Sequence, residues 1–535
     1  MDRIKRVGEQ AGRSFGVTLE WWDAYGLERD ATWRKAVVLL SLLGLAHLFL
    51  TPLNHDVGWH LYAAGRLLGG DRLYVDLLEY NPPLIYLLNV PVVLLADFLG
   101  VSELWFFYAG LAGLILLCAA TSWRILNRVT GSLSRSARRV LLLSLLFATM
   151  PLVKDDVGQR EHLTLVLILP YLALLAGRAA DKEFSFKTSL LCGLLGALGL
   201  ALKPQFLFLG LVVEGYVWLV EQRKAPWRRP ESLTVCLFFL FYGVGILFGW
   251  PQYLSMVRMA AGTYSSFDVS PGKTLALTFG LPILTLAAFL LARPAASTRE
   301  LRRTLFLSLL AALMIAGSYL KGWCYHFYPS YALSTVLLTL IVATLAEAPP
   351  TDGRSARPYQ AFTSLLITLA LISLSSWQVK EDLGKKTVWE YSDEGRLTQL
   401  VGQRATGQSV VFFSSSIFPA FPVVNYTRAH WALRFPFLWP LPGLYPRGFE
   451  PRTPEEMGPG ERFVMETVVS DFLTFKPVMV VTDERVRKQG FGERKFDYPK
   501  YFRQDPRFAK AWKDYEFDSI VGEYKVYRRR EAAVR

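Results

Sequence analysis

Leu233 to Trp250 reads LTVCLFFLFYGVGILFGW, eighteen residues without a charged side chain. As a helix rising about 1.5 Å per residue, this run is about 27 Å long, close to the roughly 30 Å of a bilayer's hydrocarbon core. Val37 to Leu53, Thr274 to Ala292 and Thr304 to Leu320 are uncharged runs of the same kind. Composition agrees with them: 52% of the 535 residues are apolar, 19% are charged and the mean hydropathy is +0.26. A soluble domain carries about 25% charged residues. The chain reads as an integral membrane protein built from helices.

Outward from that stretch, apolar segments lie near 36–53, 84–99, 102–124, 138–153, 161–178, 188–202, 205–221, 232–250, 273–292, 303–320, 327–347 and 360–377. If all twelve crossed, the loop 124–139, with five arginines and no acid, would face away from the basic N-terminus. Basic loops gather on one side of a membrane, so one segment has to be demoted. The segment 84–99 is short, follows Pro82-Pro83, contains Pro91 and carries Asp97, which suits a helix lying in the interface. Eleven spans then place 1–35, 124–139, 178–187, 223–229, 293–303 and 354–357 inside, and 54–101, 153–160, 203–204, 251–272, 321–326 and all that follows 377 outside. Residues 1–35 are polar and charged, unlike a cleavable signal peptide.

The domain organisation that follows is a cytoplasmic segment 1–35, a membrane domain 36–377 with a first outer loop 54–101, and a soluble domain 378–535. In the last, 390–406 and Glu461 to Phe475 read as helices, and Ser409 to Phe413 and Val478 to Thr482 as strands, an α/β domain. Between them lies a loop rich in proline and aromatic residues, Phe418 to Tyr445, whose Trp431, Trp439 and Tyr445 can stack on sugar rings or serve packing. Asn425-Tyr426-Thr427 matches a glycosylation acceptor, a signal without meaning in a bacterium. The net charge of +14 is dispersed in short clusters, which argues against a nucleic-acid partner. Cys118, Cys192, Cys236 and Cys324 have no CxxC spacing and read as small buried residues.

The polar sequences of the membrane domain all fall outside on this topology. They are Asn54 to His60, Glu79 to Leu84, Lys154 to His162, Lys203-Pro204-Gln205 and Lys321 to His326. Ionisable groups at a membrane boundary are costly unless paired or solvated, so such clusters mark candidate sites. One lysine at a helix end is ordinary snorkelling, but Asp155, Asp156, Arg160, Glu161 and His162 within eight residues are not. Asp56, flanked by His55 and His60, can take a proton from a hydroxyl, hold a divalent cation with Asp156, or cap a helix from Gly58 to Leu68. Spacing leaves these readings open.

The run Asp56, Tyr62, Arg66, Leu73-Tyr74-Val75-Asp76, Tyr80 and Asn81-Pro82-Pro83-Leu84 resembles the first outer loop of the GT-C glycosyltransferases, nearest to the bacterial aminoarabinose lipid A transferases and the protein O-mannosyltransferases. The resemblance covers about 36–205 and fades by 347. It implies an inverting transfer of a sugar from a polyprenyl-phosphate donor to a lipid, glycan or protein acceptor at the outer face of a bacterial cytoplasmic membrane. Asp56 then corresponds to the acid acting as base or acceptor orienter, and Asp155 or Asp156 to a second-loop acid. Arg160, Lys203, Lys321 and His326 match the groups holding the lipid phosphate. His55, His60, Tyr62, Tyr80, Asn81, Glu161, His162 and Tyr325 complete the expected substrate site, with Mg or Mn as a possible cofactor at Asp56 and Asp156. One position departs from the pattern: Asn81 stands where the family has a lysine before the two prolines. A transporter of a lipid-linked sugar is the competing reading, and a scaffold acting through its soluble domain a third. A transporter would place its charges near the bilayer midplane and repeat itself internally, whereas this sequence collects them at one boundary and shows no repeat.

Overall fold

The computed structural model describes residues 31–131, 133–221, 226–263, 271–292, 298–317, 323–346, 357–445 and 456–530. The helices of the first part are α1 (Ala31–Leu50), α2 (His55–Leu68), α3 (Leu84–Leu99), α4 (Glu103–Val129), α5 (Arg135–Thr149), α6 (Arg160–Ala179), α7 (Phe186–Ala201), α8 (Phe206–Glu221), α9 (Pro230–Gly249), α10 (Tyr253–Thr263), α11 (Pro271–Ala292), α12 (Arg299–Gly317), α13 (Cys324–Leu345) and α14 (Arg357–Val388). Each of the eleven expected spans coincides with one of these. Among the described residues, eight helices are long and apolar enough to cross a membrane, α3, α7 and α8 are shorter apolar helices, and α12, at the expected span 303–320, falls in neither group. The chain is a multi-pass helical membrane protein with a C-terminal domain. The helix α3 has only 16 residues and exposes Leu94, Leu95, Phe98 and Leu99 along one side, as an interfacial helix would.

The bundle is organised around α6, every residue of which is buried. One of its two principal neighbours, α7, carries glycines at every third position from 193 to 199. A Cβ on Gly196 would stand 2.5 Å from the Tyr171 ring, one on Gly199 2.8 Å from Ile168, and one on Gly193 2.7 Å from the Glu231 carbonyl oxygen. Small residues let membrane helices approach closely, which here compensates for the absence of a hydrophobic drive between helices in lipid. At the Ala179 end of α6, Arg178 forms a fork with Glu231 (2.8 and 3.1 Å) and Arg229 binds Glu214. Arg178 and Arg229, expected among the basic residues of loops, are buried and paired. At the other side of the bundle, His47 Nδ1 meets Asp382 Oδ2 at 2.6 Å, joining the first membrane helix to the last with both groups buried.

The helix α14 continues eleven residues beyond Trp377, to Val388, and leads into α15 (Asp393–Arg404). The C-terminal domain follows as β1 (Ser409–Phe413), α16 (Ala420–Thr427), β2 (His430–Trp431), α17 (Pro459–Phe475), β3 (Met479–Asp483), β4 (Tyr515–Val521) and β5 (Tyr524–Arg529). Strand order is β2-β1-β3-β5-β4, with β1 parallel to β2 and β3, and β5 antiparallel to β3 and β4. Val411 pairs with Val480 at the centre, and both strands are almost wholly buried, as apolar parallel strands covered on both faces should be. The β4–β5 hairpin went unread in the sequence because its strands are rich in charged residues and mostly half-buried or exposed, with no sustained apolar run.

The segment 418–445 is the seam between the two parts. Phe421 packs on Trp59 (5.3 Å) and Tyr62 (5.5 Å) of α2. Tyr62 accepts a hydrogen bond from Trp431 N (2.8 Å), and Asn425 Nδ2 donates to Gly58 O (3.0 Å). Trp431, Trp439 and Tyr445 are at most 1% exposed, so they serve packing and present no stacking surface. Asn425 is engaged in the seam, not displayed as an acceptor.

The seam depends on Gly58, where a Cβ would lie 2.6 Å from Asn425 Oδ1 and 3.4 Å from Phe421 Cβ. Alanine gains about 1 kcal/mol of helix propensity, while overpacking a tight contact costs about 1–3 kcal/mol. Gly58→Ala is therefore expected to be near neutral. Gly58→Val adds two more carbons against the same wall and should loosen the C-terminal domain, seen as a lower melting temperature and faster proteolysis within 390–530. Wild-type behaviour of the valine variant would show that the seam is not closely packed.

Candidate active site

The first-loop helix begins with a cap that the sequence left ambiguous. Asn54 is the N-cap: its Oδ1 accepts from Asp56 N (3.0 Å) and from Gln159 Nε2 (2.9 Å), and its Nδ2 donates to the Asp155 carbonyl (3.2 Å). One side chain thus caps α2 and ties the first outer loop to the second. Asp56 sits in the first turn, its carboxylate relieved of capping and turned into a cavity of about 420 Å³.

The helical part of that cavity is formed by His55, Asp56, Trp59 and His60 of α2, then Glu79, Tyr80, Asn81 and Arg160, with Trp323 and Tyr325 beside them. Ser416, Ile417, Phe437 and Gln489 of the C-terminal domain close the other side. Arg160 is the one permanent cation among these lining residues. Its aim is set by a relay. Glu79, 2% exposed, accepts from Trp59 Nε1 (2.9 Å), Tyr80 N (2.7 Å) and Asn81 Nδ2 (3.1 Å), and Asn81 Oδ1 in turn accepts from Arg160 Nη1. Asn81, in the bend before α3, thus holds an arginine supplied by α6.

Electrostatics follow from this crowding. Burial pushes the Asp56 carboxyl up, but His55 (3.7 Å away), Arg160, His60 and a hydrogen bond from Gln159 outweigh it, and the group is held below its ordinary value. Burial and then Arg160 press His60 down to about 3, so it is a neutral imidazole at physiological pH. Glu79 is raised by burial in spite of its hydrogen bonds. Behind the Tyr325 ring, Lys203 Nζ lies 5.6 Å from the ring centroid and pairs with Glu161, and His326 Nε2 stands 3.6 Å from the same carboxylate. His326 stacks on Trp323 (5.6 Å).

Of the residues picked from the sequence, His55, Asp56, His60, Tyr80, Asn81, Arg160 and Tyr325 line the cavity. Glu161, Lys203 and His326 form the paired layer behind it. Tyr62 belongs to the seam, and its hydroxyl is occupied by Trp431 N and Arg66. The His162 ring spans two backbone groups, accepting from Gly158 N (3.0 Å) and donating to Thr149 O (2.8 Å), and it stays out of the cavity. Asp155 is exposed and paired with Lys385, while Asp156 lies beside Asn54. Lys321 lies outside the described residues. Trp59, Glu79, Trp323 and the four residues of the C-terminal domain were not selected from sequence, although Glu79 and Trp323 lie inside the polar stretches quoted there.

No group of three or more His, Cys, Asp or Glu side chains among the described residues is placed to hold a metal ion. A divalent cation at Asp56 and Asp156 would have to draw most of its coordination from substrate or water, next to the Arg160 charge.

No protein-family model matches the chain, and no characterised protein sequence does. Among solved structures, the fold is similar to the mycobacterial arabinofuranosyltransferase AftD, with a TM-score of 0.45 and 13% identity over 93% of this chain and 40% of that one. It is also similar to the archaeal oligosaccharyltransferase AglB from Archaeoglobus fulgidus, solved with an inhibitory peptide and a dolichol-phosphate, with a TM-score of 0.46 and 12% identity over 95% and 75% of the two chains. The chain thus spans less than half the length of AftD.

Burial holds the Lys203 ammonium down to about 8 against the pull of Glu161, and Arg160 presses in the same direction as burial. Below pH 8 the ammonium balances Glu161. Above it the proton is lost, and the uncompensated carboxylate competes for Arg160. Binding of an anionic lipid such as undecaprenyl phosphate should therefore weaken as pH rises through 8, and Lys203→Arg, which keeps its charge, should flatten that limb. Titrations from pH 6 to 10 on both proteins check this; identical alkaline limbs would remove Lys203 from the charge balance.

Proposed function

We propose that this chain is a membrane glycosyltransferase of the GT-C type, which transfers a sugar from a polyprenyl-phosphate donor to an acceptor hydroxyl at the outer face of a bacterial cytoplasmic membrane. The observation that carries the reading is that one cavity is lined by both the Asp56 carboxylate and the Arg160 guanidinium. The first-loop motif from Asp56 to Leu84 supports it as well.

The chemistry needs a cation on the leaving phosphate, a base for the attacking hydroxyl and little water. The acceptor oxygen attacks the anomeric carbon as the carbon–oxygen bond to phosphate breaks. The bonding electrons leave with the polyprenyl phosphate, the hydroxyl proton passes to Asp56, and a single displacement inverts the anomeric centre. A guanidinium suits the phosphate because its fork can hold two oxygens, each charge-assisted contact contributing about 1.5–3 kcal/mol. Against the effect of its burial, His55 and then Arg160 lower the proton affinity of Asp56. A phosphate bound at Arg160 offsets part of that lowering, which makes the carboxylate a better base once the donor is bound.

Mass spectrometry of envelope glycans from cells with and without the gene should reveal a glycan that requires it. Asp56→Asn keeps the size of the side chain and leaves the Asn54 cap intact, so it removes charge alone. It should reduce that product about a hundredfold while preserving membrane abundance. Near-normal product from the folded variant would take Asp56 out of the chemistry, and an unchanged glycan profile on gene deletion would overturn the function.

A further inference from the structure

The C-terminal domain meets the cavity with a particular edge of its sheet. Ser416 and Ile417 follow β1, Phe437 follows β2 and Gln489 follows β3, so each of the three parallel strands delivers its C-terminal side to the same wall. Open α/β sheets bind ligands beyond the carboxyl ends of their strands. The loops are fixed from below. Ser414 Oγ donates to Asp483 Oδ2 (2.9 Å) and accepts from Ser416 N (2.9 Å), and Leu438 N donates to Ser414 O (2.9 Å). Ser415 Oγ donates to Gln489 O (2.7 Å). These bonds fix Ser416 and Gln489 through backbone atoms, and both residues line the cavity.

We propose that this wall is the acceptor subsite and that the acceptor it takes is an uncharged glycan; the proposal rests on the glycosyltransferase reading above. The two sides of the cavity differ in charge. The helical side holds Asp56, Glu79 and Arg160, and the sheet side offers a hydroxyl, a carboxamide, an aromatic ring and an aliphatic chain with no ionic group. A phosphate belongs with Arg160. An anionic acceptor would meet two carboxylates with no second cation among the lining residues, whereas sugar hydroxyls can pair with Ser416 and Gln489 while a ring face lies on Phe437. The wall selects by hydrogen bonding and shape, so losing it raises the acceptor KM and leaves donor binding intact.

The test complements a gene-deletion strain with full-length wild type, Gln489→Ala, Phe437→Leu or Asp56→Asn, each matched for membrane abundance. Phe437→Leu keeps an apolar side chain and removes the ring face. In parallel, the proteins in lipid nanodiscs are probed by saturation-transfer NMR with neutral trisaccharides (maltotriose, mannotriose, cellotriose) and with trigalacturonate, and by native mass spectrometry with undecaprenyl phosphate. Gln489→Ala and Phe437→Leu should each lower the cellular product at least fivefold and weaken the signal from a neutral trisaccharide. Both should bind undecaprenyl phosphate like wild type. The subsite is overturned if both variants make wild-type amounts of a product that Asp56→Asn abolishes, an outcome that leaves the glycosyltransferase reading standing. It is also overturned if trigalacturonate binds better than every neutral trisaccharide, or if none of them binds the wild type. If the glycan profile ignores the gene altogether, the parent reading falls with it.

Discussion

Contact between α2 and the 418–445 segment is the constraint on which the rest of the molecule hangs. A helix following the first membrane span has no intrinsic reason to hold one rotation about its axis. Here Trp59 and Tyr62 are clamped by Phe421, and the backbone of Gly58 by Asn425. With α2 fixed there, Asp56 and His60 reach the cavity on the neighbouring face. The same contact brings the carboxyl ends of β1, β2 and β3 over that face. The rotation of α2 and the closing of the cavity by the C-terminal domain are set together, because a single set of buried rings determines both.

The two ends of α6 carry similar residues put to different use. At its Ala179 end, Arg178 and Glu231 satisfy one another in a buried fork, with Ser189 completing the set. Removing one partner from such a pair would leave a buried charge uncompensated, which costs about 3–5 kcal/mol. At the other end Arg160 donates to the Asn81 carboxamide and lines the cavity. The acids near it also serve other groups: Glu161 binds Lys203, and Glu79 binds Trp59 and the backbone around Asn81. One end of the helix knits the bundle together, and the other presents polar groups to the cavity.

Much of this was legible in the sequence, for identifiable reasons. Hydrocarbon tolerates no unsatisfied backbone, so each span had to be a helix of a certain length, and the uncharged runs gave their positions directly. The strands β1 and β3 were legible because both faces are buried and their residues are uniformly apolar. The candidate cavity was partly legible as a set of polar clusters, from which Asp56, Asn81 and Arg160, all among its lining residues, could be chosen. What could not be read were relations across the chain. Asn54 and Asp56 are equally good caps on paper, and only the fold assigns the task to Asn54 and frees the acid. His162 sits in a cluster of charges yet spends both ring nitrogens on backbone. Ser416, Phe437 and Gln489 carry no local signal, since a serine or a glutamine becomes part of a cavity only through contact with a helix hundreds of residues earlier in the chain.

The unbroken course of α14 has a mechanical meaning. Its 32 residues extend about 48 Å, while the hydrocarbon they cross is about 30 Å thick. The eleven residues after Trp377 continue as one stiff rod about 16 Å long, tied by Asp382 to His47 of α1 and by Lys385 to the loop bearing Asp155. A domain carried on such a rod is held at a set height relative to the bundle. Under the proposed function an acceptor would have to bring its hydroxyl to that height, so the rod would sort acceptors by reach before any contact in the cavity sorts them by shape.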